Sequence, residues 1–328
     1  MTANRLALTL LLLASATVFP LAAQQTKADQ KPLEEVKAKA EAGDANSQVE
    51  LGLRYAKGEG VAKDPVEAVK WFRKAAEQNL AEAQSRLGFC YSTGEGVAKD
   101  PVEAVKWFRK AAEQNLAKGQ FNLALCYEEG EGVAKDPVEA VKWYRKAAEQ
   151  GYAPAQLNLA FCYAKGAGVT KDQVEAVKWY RKATEQNDAK AQYFLALCYA
   201  DGAGVAKDQA EAVKLYRKAA EQNFAPAQYN LGVCYANGEG VAKDLVEALK
   251  WYRKAAEQNL PEAQFNLGYR LSTGDSVAKD QVEAYKWLLL AAKQGDEDAK
   301  KTVPLLEKDL TPEQIAEGQK RANDFKPR

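Results

Sequence analysis

Five cysteines recur at one spacing and are the first residues to test for chemistry. A row of thiols could form disulfides, bind a soft metal or carry redox chemistry. The count is odd, and no second ligand type recurs beside them. If the spacing marks stacked repeats, equivalent residues lie roughly 8–10 Å apart, beyond the roughly 7 Å that a disulfide allows between Cα atoms. The row therefore predicts small buried apolar side chains with free thiols. They are Cys90, Cys126, Cys162, Cys198 and Cys234.

The other residue types give little indication of a catalytic site. The chain has no histidine, which excludes Ser-His-Asp and Cys-His catalysis and removes the commonest zinc ligand. The most regular acids, exemplified by Asp100 and Glu103, are better explained as helix caps. We therefore predict a protein that is not an enzyme and has no cofactor or metal. A cell-wall-related enzyme and a peptidoglycan-binding protein remain the rival functions.

Charge and the N-terminal residues bear on location. The net charge is +1, and a chain so near neutrality lacks the basic surface expected of a nucleic-acid binder. Residues 1–23 read as a signal peptide, with Arg5 before an apolar run of residues 6–18 that is short for a membrane span. Cleavage after Ala23, cleavage near Ala16 and retention as an anchor remain open. The signal peptide predicts a secreted or periplasmic protein. Residues 24–31, which follow the signal peptide, are predicted to be a flexible linker.

The rest of the chain is organised by a near-literal repeat of 36 residues. The segment GEGVAKDPVEAVKWFRKAAEQN begins at Gly58 and again at Gly94, and related copies follow at the same step. A lone helix at 32–44 and further helices at 297–328 are expected to cap the array. In the latter, Pro304 is expected to bend or split a helix. The predicted units are 45–80, 81–116, 117–152, 153–188, 189–224, 225–260 and 261–296.

Each unit is predicted to form two antiparallel helices joined by a glycine-rich loop. In the second helix, Asp100 is the expected N-cap, Pro101 the first helical residue and Glu103 the partner that completes a capping box. One helix pair cannot bury both its stripe of small residues and its stripe of aromatic residues. The copies must therefore stack on one another. A buried tryptophan ladder is therefore expected, interrupted by Leu215. Its members are Trp71, Trp107, Trp143, Trp179, Trp251 and Trp287.

These residues carry a recognisable pattern, A-x-A-Q-x-x-L-G-x-x-Y-x-x-G-x-G-V-x-x-D, which unit six shows as AQYNLGVCYANGEGVAKD from Ala227. The pattern resembles the Sel-1-like repeat family over residues 45–296. The resemblance implies an all-α, right-handed superhelical solenoid, similar to tetratricopeptide arrays, that acts as an adaptor for other proteins. The cysteine-rich branch of that family has two cysteines per unit, whereas this chain has one, so that branch's activities carry over poorly.

In tetratricopeptide-like arrays the first helices line a concave surface, and the resemblance therefore suggests where a protein or peptide partner would bind. Aromatic and amide side chains recur on the face of the first helices opposite the core stripe and suit an extended peptide. Two alternatives stay open: rings that only pack between neighbouring helices, and an array that is a structural spacer with an inert surface. The candidate residues are Phe89, Phe121, Asn122, Leu157, Asn158, Phe161, Tyr193, Tyr229, Asn230, Phe265, Asn266 and Tyr269.

Overall fold

The computed structural model of the chain describes residues 32–274 and 278–327, which form 17 α-helices and, within those ranges, no strand. The predicted signal peptide and linker lie outside the described residues. The helices are α1 Leu33–Glu41, α2 Ala45–Lys57, α3 Pro65–Glu77, α4 Ala81–Thr93, α5 Pro101–Glu113, α6 Ala117–Glu129, α7 Pro137–Glu149, α8 Ala153–Lys165, α9 Gln173–Thr184, α10 Ala189–Asp201, α11 Gln209–Glu221, α12 Ala225–Asn237, α13 Leu245–Glu257, α14 Pro261–Thr273, α15 Gln281–Lys293, α16 Glu297–Glu307 and α17 Pro312–Asn323.

The helices fall into two compact units, residues up to Lys99 and residues from Asp100 onward. Within each unit, helices that follow one another in sequence pack together, except that the last helix, α17, packs against α15 rather than against α16. The second unit contains α5–α17. Seven consecutive two-helix repeats, packed in sequence within each unit, confirm the predicted all-α solenoid fold.

Each second helix begins at an aspartate whose carboxylate accepts a hydrogen bond from a backbone amide of the first turn. Asp100 accepts from the amide of Glu103 at 3.0 Å, which confirms the predicted N-cap. The predicted capping box is wrong, because the Glu103 carboxylate turns to Lys106, 2.8 Å away, rather than back to the cap. A complete capping box occurs at the last helix instead, between Thr311 and Gln314.

The helices end where asparagine or glycine adopts a positive φ, as the sequence predicts. Asn115 closes α5 with a φ of 62°, and Gly151 closes α7 with a φ of 84°. Each first helix ends on a glycine in the same left-handed region, such as Gly166 with a φ of 76°. Pro304 lies inside α16, which continues unbroken to Glu307, so the helix is not split there.

In repeats two to six, the second glycine of the loop touches the preceding repeat, and this contact requires the absence of a side chain. A Cβ atom added at Gly168 would lie 2.0 Å from the carbonyl oxygen of Pro137. Gly166, in the same loop, also has a positive φ, but a Cβ added there would meet atoms of Lys171 and Val169 at 3.2 Å or more. Positive φ is common to both positions, whereas the backbone clash belongs to Gly168.

We therefore expect Gly168→Ala to destabilise the protein by about 3–4 kcal/mol and Gly166→Ala by about 1–2 kcal/mol. The difference reports the repeat-to-repeat contact, since the φ penalty is shared. Urea unfolding followed by circular dichroism measures both. Equal losses in the two variants would contradict the close approach.

The tryptophan ladder is largely as predicted. Five of the six indoles are buried, whereas Trp143 is only partly buried, which corrects the prediction for that ring. In six cases a lysine ammonium lies near the indole, as with Lys182, whose Nζ is 4.1 Å from the Trp179 ring centroid. None of the six indole nitrogens has a hydrogen-bond partner among the described residues. The rings therefore act through apolar contact and cation–π attraction.

A ladder of buried glutamines joins successive repeats. The recurrence of glutamine in the sequence of the first helices did not reveal this role. Gln228 is 1% exposed. Its Nε2 donates to the carbonyl of Ala220 at 3.1 Å and to Oδ1 of Asn223 at 3.0 Å. Its Oε1 accepts from Nε2 of Gln258 at 2.7 Å. The glutamine pair, 30 residues apart, lies within one repeat and recurs along the array. The bonds to Ala220 and Asn223 cross to the preceding repeat, so the two glutamines together fix how one repeat meets the next.

The C-terminal end of the array is closed by the chain itself. The last helix, α17, packs on α15, and Gly318 lies so close that a Cβ would be 2.6 Å from the Tyr285 ring. Tyr285 stands where earlier repeats have valine or leucine, and the buried Leu290 stands where they have lysine. These changes make α15 apolar on the face that α17 covers, as a capping repeat requires.

Candidate protein-binding surface

The twelve predicted residues lie on first helices. Phe89 belongs to the first unit and the other eleven to the second, and we call these eleven the first-helix surface. They differ widely in exposure. Phe121, Leu157 and Tyr193 are buried, Tyr269 is 50% exposed, and the remainder are intermediate.

The three buried members pack inside the array, in line with the alternative that some rings fill space between helices. Phe121 makes an edge contact with Tyr152 at a centroid distance of 5.4 Å. Tyr193 makes the same contact with Phe224, also at 5.4 Å. These positions shape the surface from beneath and offer a ligand little area of their own.

The half-buried rings form a second group. Phe161 packs edge-on against Phe194, with centroids 4.5 Å apart, and against Tyr180 at 5.6 Å. Further along, Phe265 and Tyr269 lie 6.0 Å apart at an interplanar angle of 31°. Such rings combine an apolar face with partial exposure, which is the property of aromatic anchors in binding surfaces.

The asparagine amides have fixed orientations. Tyr144 is fully buried and donates its single hydroxyl hydrogen to the Glu128 carboxylate. Its oxygen can then only accept from Asn158, whose Nδ2 lies 3.1 Å away. One hydrogen of the Asn158 NH₂ group is thereby held by the protein, and its carbonyl oxygen is directed away from Tyr144.

The same arrangement occurs two and three repeats later. Asn266 donates through Nδ2 to the carbonyl of Glu262 at 2.9 Å and lies 3.5 Å from the hydroxyl of Tyr229. Burial raises the pKa of Tyr193, and the side chain of Asn230 beside it opposes that rise. Asn158 and Asn266 thus direct amide hydrogens to the protein itself, which leaves their carbonyl oxygens as acceptors for a ligand.

Glu128 and Glu262 belong to this surface and were not among the predicted residues. Glu128 sets the orientation of Asn158 through Tyr144. A signal was present in the sequence, because all other repeats carry alanine or serine at the position of Glu128. Those residues are Ala56, Ser92, Ala164, Ala200, Ala236 and Ser272.

The cysteines are free, and no disulfide joins any of the five, all of which lie within the described ranges. Four are buried, and Cys126 is partly buried. Burial raises the pKa of the Cys162 thiol to about 12 and that of Cys198 to about 11. Thiols held in this way are poor nucleophiles at neutral pH.

We expect the five thiols to resist modification in the folded protein at pH 8. The thiolate is the reactive form of cysteine. When the pKa of a thiol is raised, little thiolate is present until the pH approaches that pKa. Titration with a thiol reagent should find almost no rapidly reacting groups before, and five after, unfolding in guanidinium chloride. Rapid reaction of the native protein, or no reaction after unfolding without reductant, would contradict this.

Two further findings concern the described residues as a whole. No group of three or more metal-ligating side chains occurs among them. None of their helices has both the length and the apolar character needed to cross a bilayer.

The repeats themselves decide the family. The Sel1 repeat profile matches seven consecutive segments, which together span residues 45–296. They are 45–80, 81–116, 117–152, 153–188, 189–224, 225–260 and 261–296. The chain belongs to the Sel1 repeat family. Proteins built from Sel1 repeats serve as scaffolds for protein interactions.

Solved structures with the same architecture support this assignment. A protective antigen of uropathogenic Escherichia coli with an SLR fold is 38% identical, with a TM-score of 0.80 over 90% of this chain and 64% of the antigen. A Sel1 repeat protein from Oxalobacter formigenes is 34% identical, with a TM-score of 0.70 over 85% of this chain and 82% of that protein.

One curated relative carries a binding activity in its name. The secretory immunoglobulin A-binding protein EsiB of Escherichia coli is 51% identical over 43 residues, which amount to 13% of this Sel1 repeat chain and 9% of EsiB. The chain thus spans about two thirds of the antigen's length and a small fraction of EsiB.

Proposed function

We propose that this Sel1 repeat protein is a non-enzymatic scaffold, secreted or located in the cell envelope, that binds a peptide or protein partner along the first-helix surface. The observation that carries the proposal is the orientation of Asn158 and Asn266. Each donates from its side-chain nitrogen to a neighbouring group of the protein, and Asn230 holds the equivalent position beside Tyr193. Carbonyl acceptors in different repeats then suit the backbone amides of an extended chain.

The half-buried rings supply the apolar part of the same surface. Tyr229, Phe161 and Phe265 are each partly exposed. Tyr229 and Phe265 directly precede Asn230 and Asn266, and Phe161 lies about one helical turn after Asn158. A bound segment would bury ring area there while its backbone pairs with the asparagine carbonyls. EsiB, the relative named for binding an immunoglobulin, also favours a protein ligand for this architecture.

We expect the double variant Asn158→Ala and Asn230→Ala to fold normally and to bind its partner roughly tenfold or more weakly. Loss of two amide groups removes two hydrogen bonds to the ligand, each contributing about 0.5–1.5 kcal/mol. The partner is first captured from cell-envelope extracts by the wild-type chain and identified by mass spectrometry. Its affinity for both proteins is then measured by calorimetry.

A matched control removes two amides that belong neither to the asparagine row nor to the glutamine ladder. Asn237→Ala and Asn323→Ala change exposed residues at the C-terminal ends of α12 and α17. This control should bind like the wild type. Unimpaired binding by the asparagine variant would place the interaction elsewhere, binding of peptidoglycan fragments would favour the cell-wall alternative, and an inert chain would favour a spacer.

A further inference from the structure

One carboxylate on the first-helix surface has no bonding partner. Glu262 lies in the first turn of α14, and its Oε2 is buried without a hydrogen bond from any described residue. A buried acceptor left in this state costs free energy, on the order of 1–3 kcal/mol. Its neighbour at i+4, Asn266, donates to the Glu262 backbone carbonyl rather than to the carboxylate.

Another repeat of the same chain shows what this glutamate pairs with when a partner is present. Glu82 occupies the position of Glu262 in the second repeat, and Arg86 occupies that of Asn266. There the guanidinium lies 2.6 Å from the Glu82 carboxylate. The seventh repeat keeps the acid and replaces the arginine with asparagine, so the acid has lost its internal cation.

The surroundings of Glu262 suit a guanidinium from outside. The Asn266 carbonyl oxygen points away from its own amide contacts and adds an acceptor. Tyr269, one turn further along α14, is 50% exposed and packs against Phe265. Guanidinium groups pair with carboxylates through two donors and stack on aromatic faces, which an ammonium does less well.

Access requires only a rotation of the Glu262 side chain. In the second repeat the glutamate reaches along the helix to residue 86, so this conformation is compatible with the repeat. Oε2 has no hydrogen bond to lose when Glu262 turns toward residue 266 in the same way.

We propose that the first-helix surface at the seventh repeat binds an arginine side chain of the protein partner, through the Glu262 carboxylate and the Asn266 carbonyl beside the Tyr269 ring. This inference rests on the proposed function. It specifies that one of the partner's groups bound at this surface is a guanidinium. The internal Arg86–Glu82 pair is the template for this contact.

A library of random 12-residue peptides displayed on phage tests the proposal with the full chain as bait. We expect selected peptides to share an arginine. A synthetic peptide from that set should bind Glu262→Gln at least about tenfold more weakly, as loss of a charged hydrogen-bond partner implies. Replacing the peptide arginine with lysine should also weaken binding to the wild type several-fold.

Two control variants sharpen the test. Glu221→Gln removes an exposed acid at the end of a second helix and should leave the peptide affinity unchanged. Asn266→Arg rebuilds the arrangement of the second repeat and should block the peptide, because the site is then filled by the chain itself. Its melting temperature should be no lower than that of the wild type.

The outcomes separate this inference from the function on which it rests. Peptides that bind without a shared arginine, or that bind Glu262→Gln as tightly as the wild type, overturn the arginine site, while peptide binding itself stands if Asn158→Ala and Asn230→Ala weaken it. Recovery of no peptide from the library, together with no partner from envelope extracts, overturns both.

Discussion

Trp179→Ala is expected to lower the free energy of unfolding by about 3–5 kcal/mol. Trp179 is 5% exposed, and truncating its ring removes apolar contacts and leaves a cavity between helices that cannot close fully. Urea unfolding monitored by circular dichroism measures the loss. Because a repeat array can lose cooperativity when one unit weakens, a split transition would be a second expected sign of the same defect.

Two companion variants separate burial from other roles of the ring. Lys182→Ala removes the cation over the indole and should cost only about 0.5–1 kcal/mol. Trp179→Leu should cost much less than alanine, because Leu215 fills the same position of the fifth repeat and is itself 6% exposed. The indole nitrogen has no partner to lose. An unchanged unfolding curve for Trp179→Ala would contradict the burial of this ring.

The regular parts of the fold were predictable because the same helix-boundary residues recur in each repeat. An aspartate before an apolar stripe, and an asparagine or glycine after it, mark the ends of every second helix through simple backbone chemistry. Asp100 and Asn115 therefore play the roles assigned to them. The contact of the Glu103 side chain was harder to predict, because its carboxylate can bond either the N-cap backbone amide or the lysine three residues later. It pairs with that lysine, Lys106.

The candidate surface was predictable in its residues but not in their roles. Helical spacing places Asn158 on the first helix, yet the direction of its amide depends on Tyr144 and Glu128, which come from other helices. The burial of Tyr193 likewise depends on Phe224, 31 residues later in the sequence. Such contacts arise from packing between helices, and a repeat pattern in one sequence does not encode their geometry.

Departures from the repeat proved more informative than the repeat itself. Tyr285 breaks a row of valine and leucine where the last helix docks. Glu128 breaks a row of alanine and serine, and it orients a surface amide through Tyr144. Asn266 stands where Arg86 pairs with an acid in the second repeat. The first two exceptions have structural roles that their contacts explain, and the third is the position on which the proposed arginine site depends.

Gln228→Leu is expected to destabilise the protein by about 2–3 kcal/mol, although leucine is apolar and similar in size. The buried amide of Gln228 donates to the Ala220 carbonyl and accepts from Gln258. Leucine can do neither, so buried polar groups at the boundary between two repeats lose their partner. Thermal and urea unfolding measure the loss, and hydrogen exchange should show it first in α11–α13.

Gln258→Ala is the matched control, because it removes the other end of the same hydrogen bond from a partly exposed position. It should cost only about 0.5–1 kcal/mol, since water can replace much of what is lost. In the double variant the two losses should fall short of additive by the free energy of their shared contact. If Gln228→Leu proved neutral or stabilising, the core at this boundary would gain more from apolar packing than from its amide ladder. The recurrence of glutamine at this position would then require a reason other than stability.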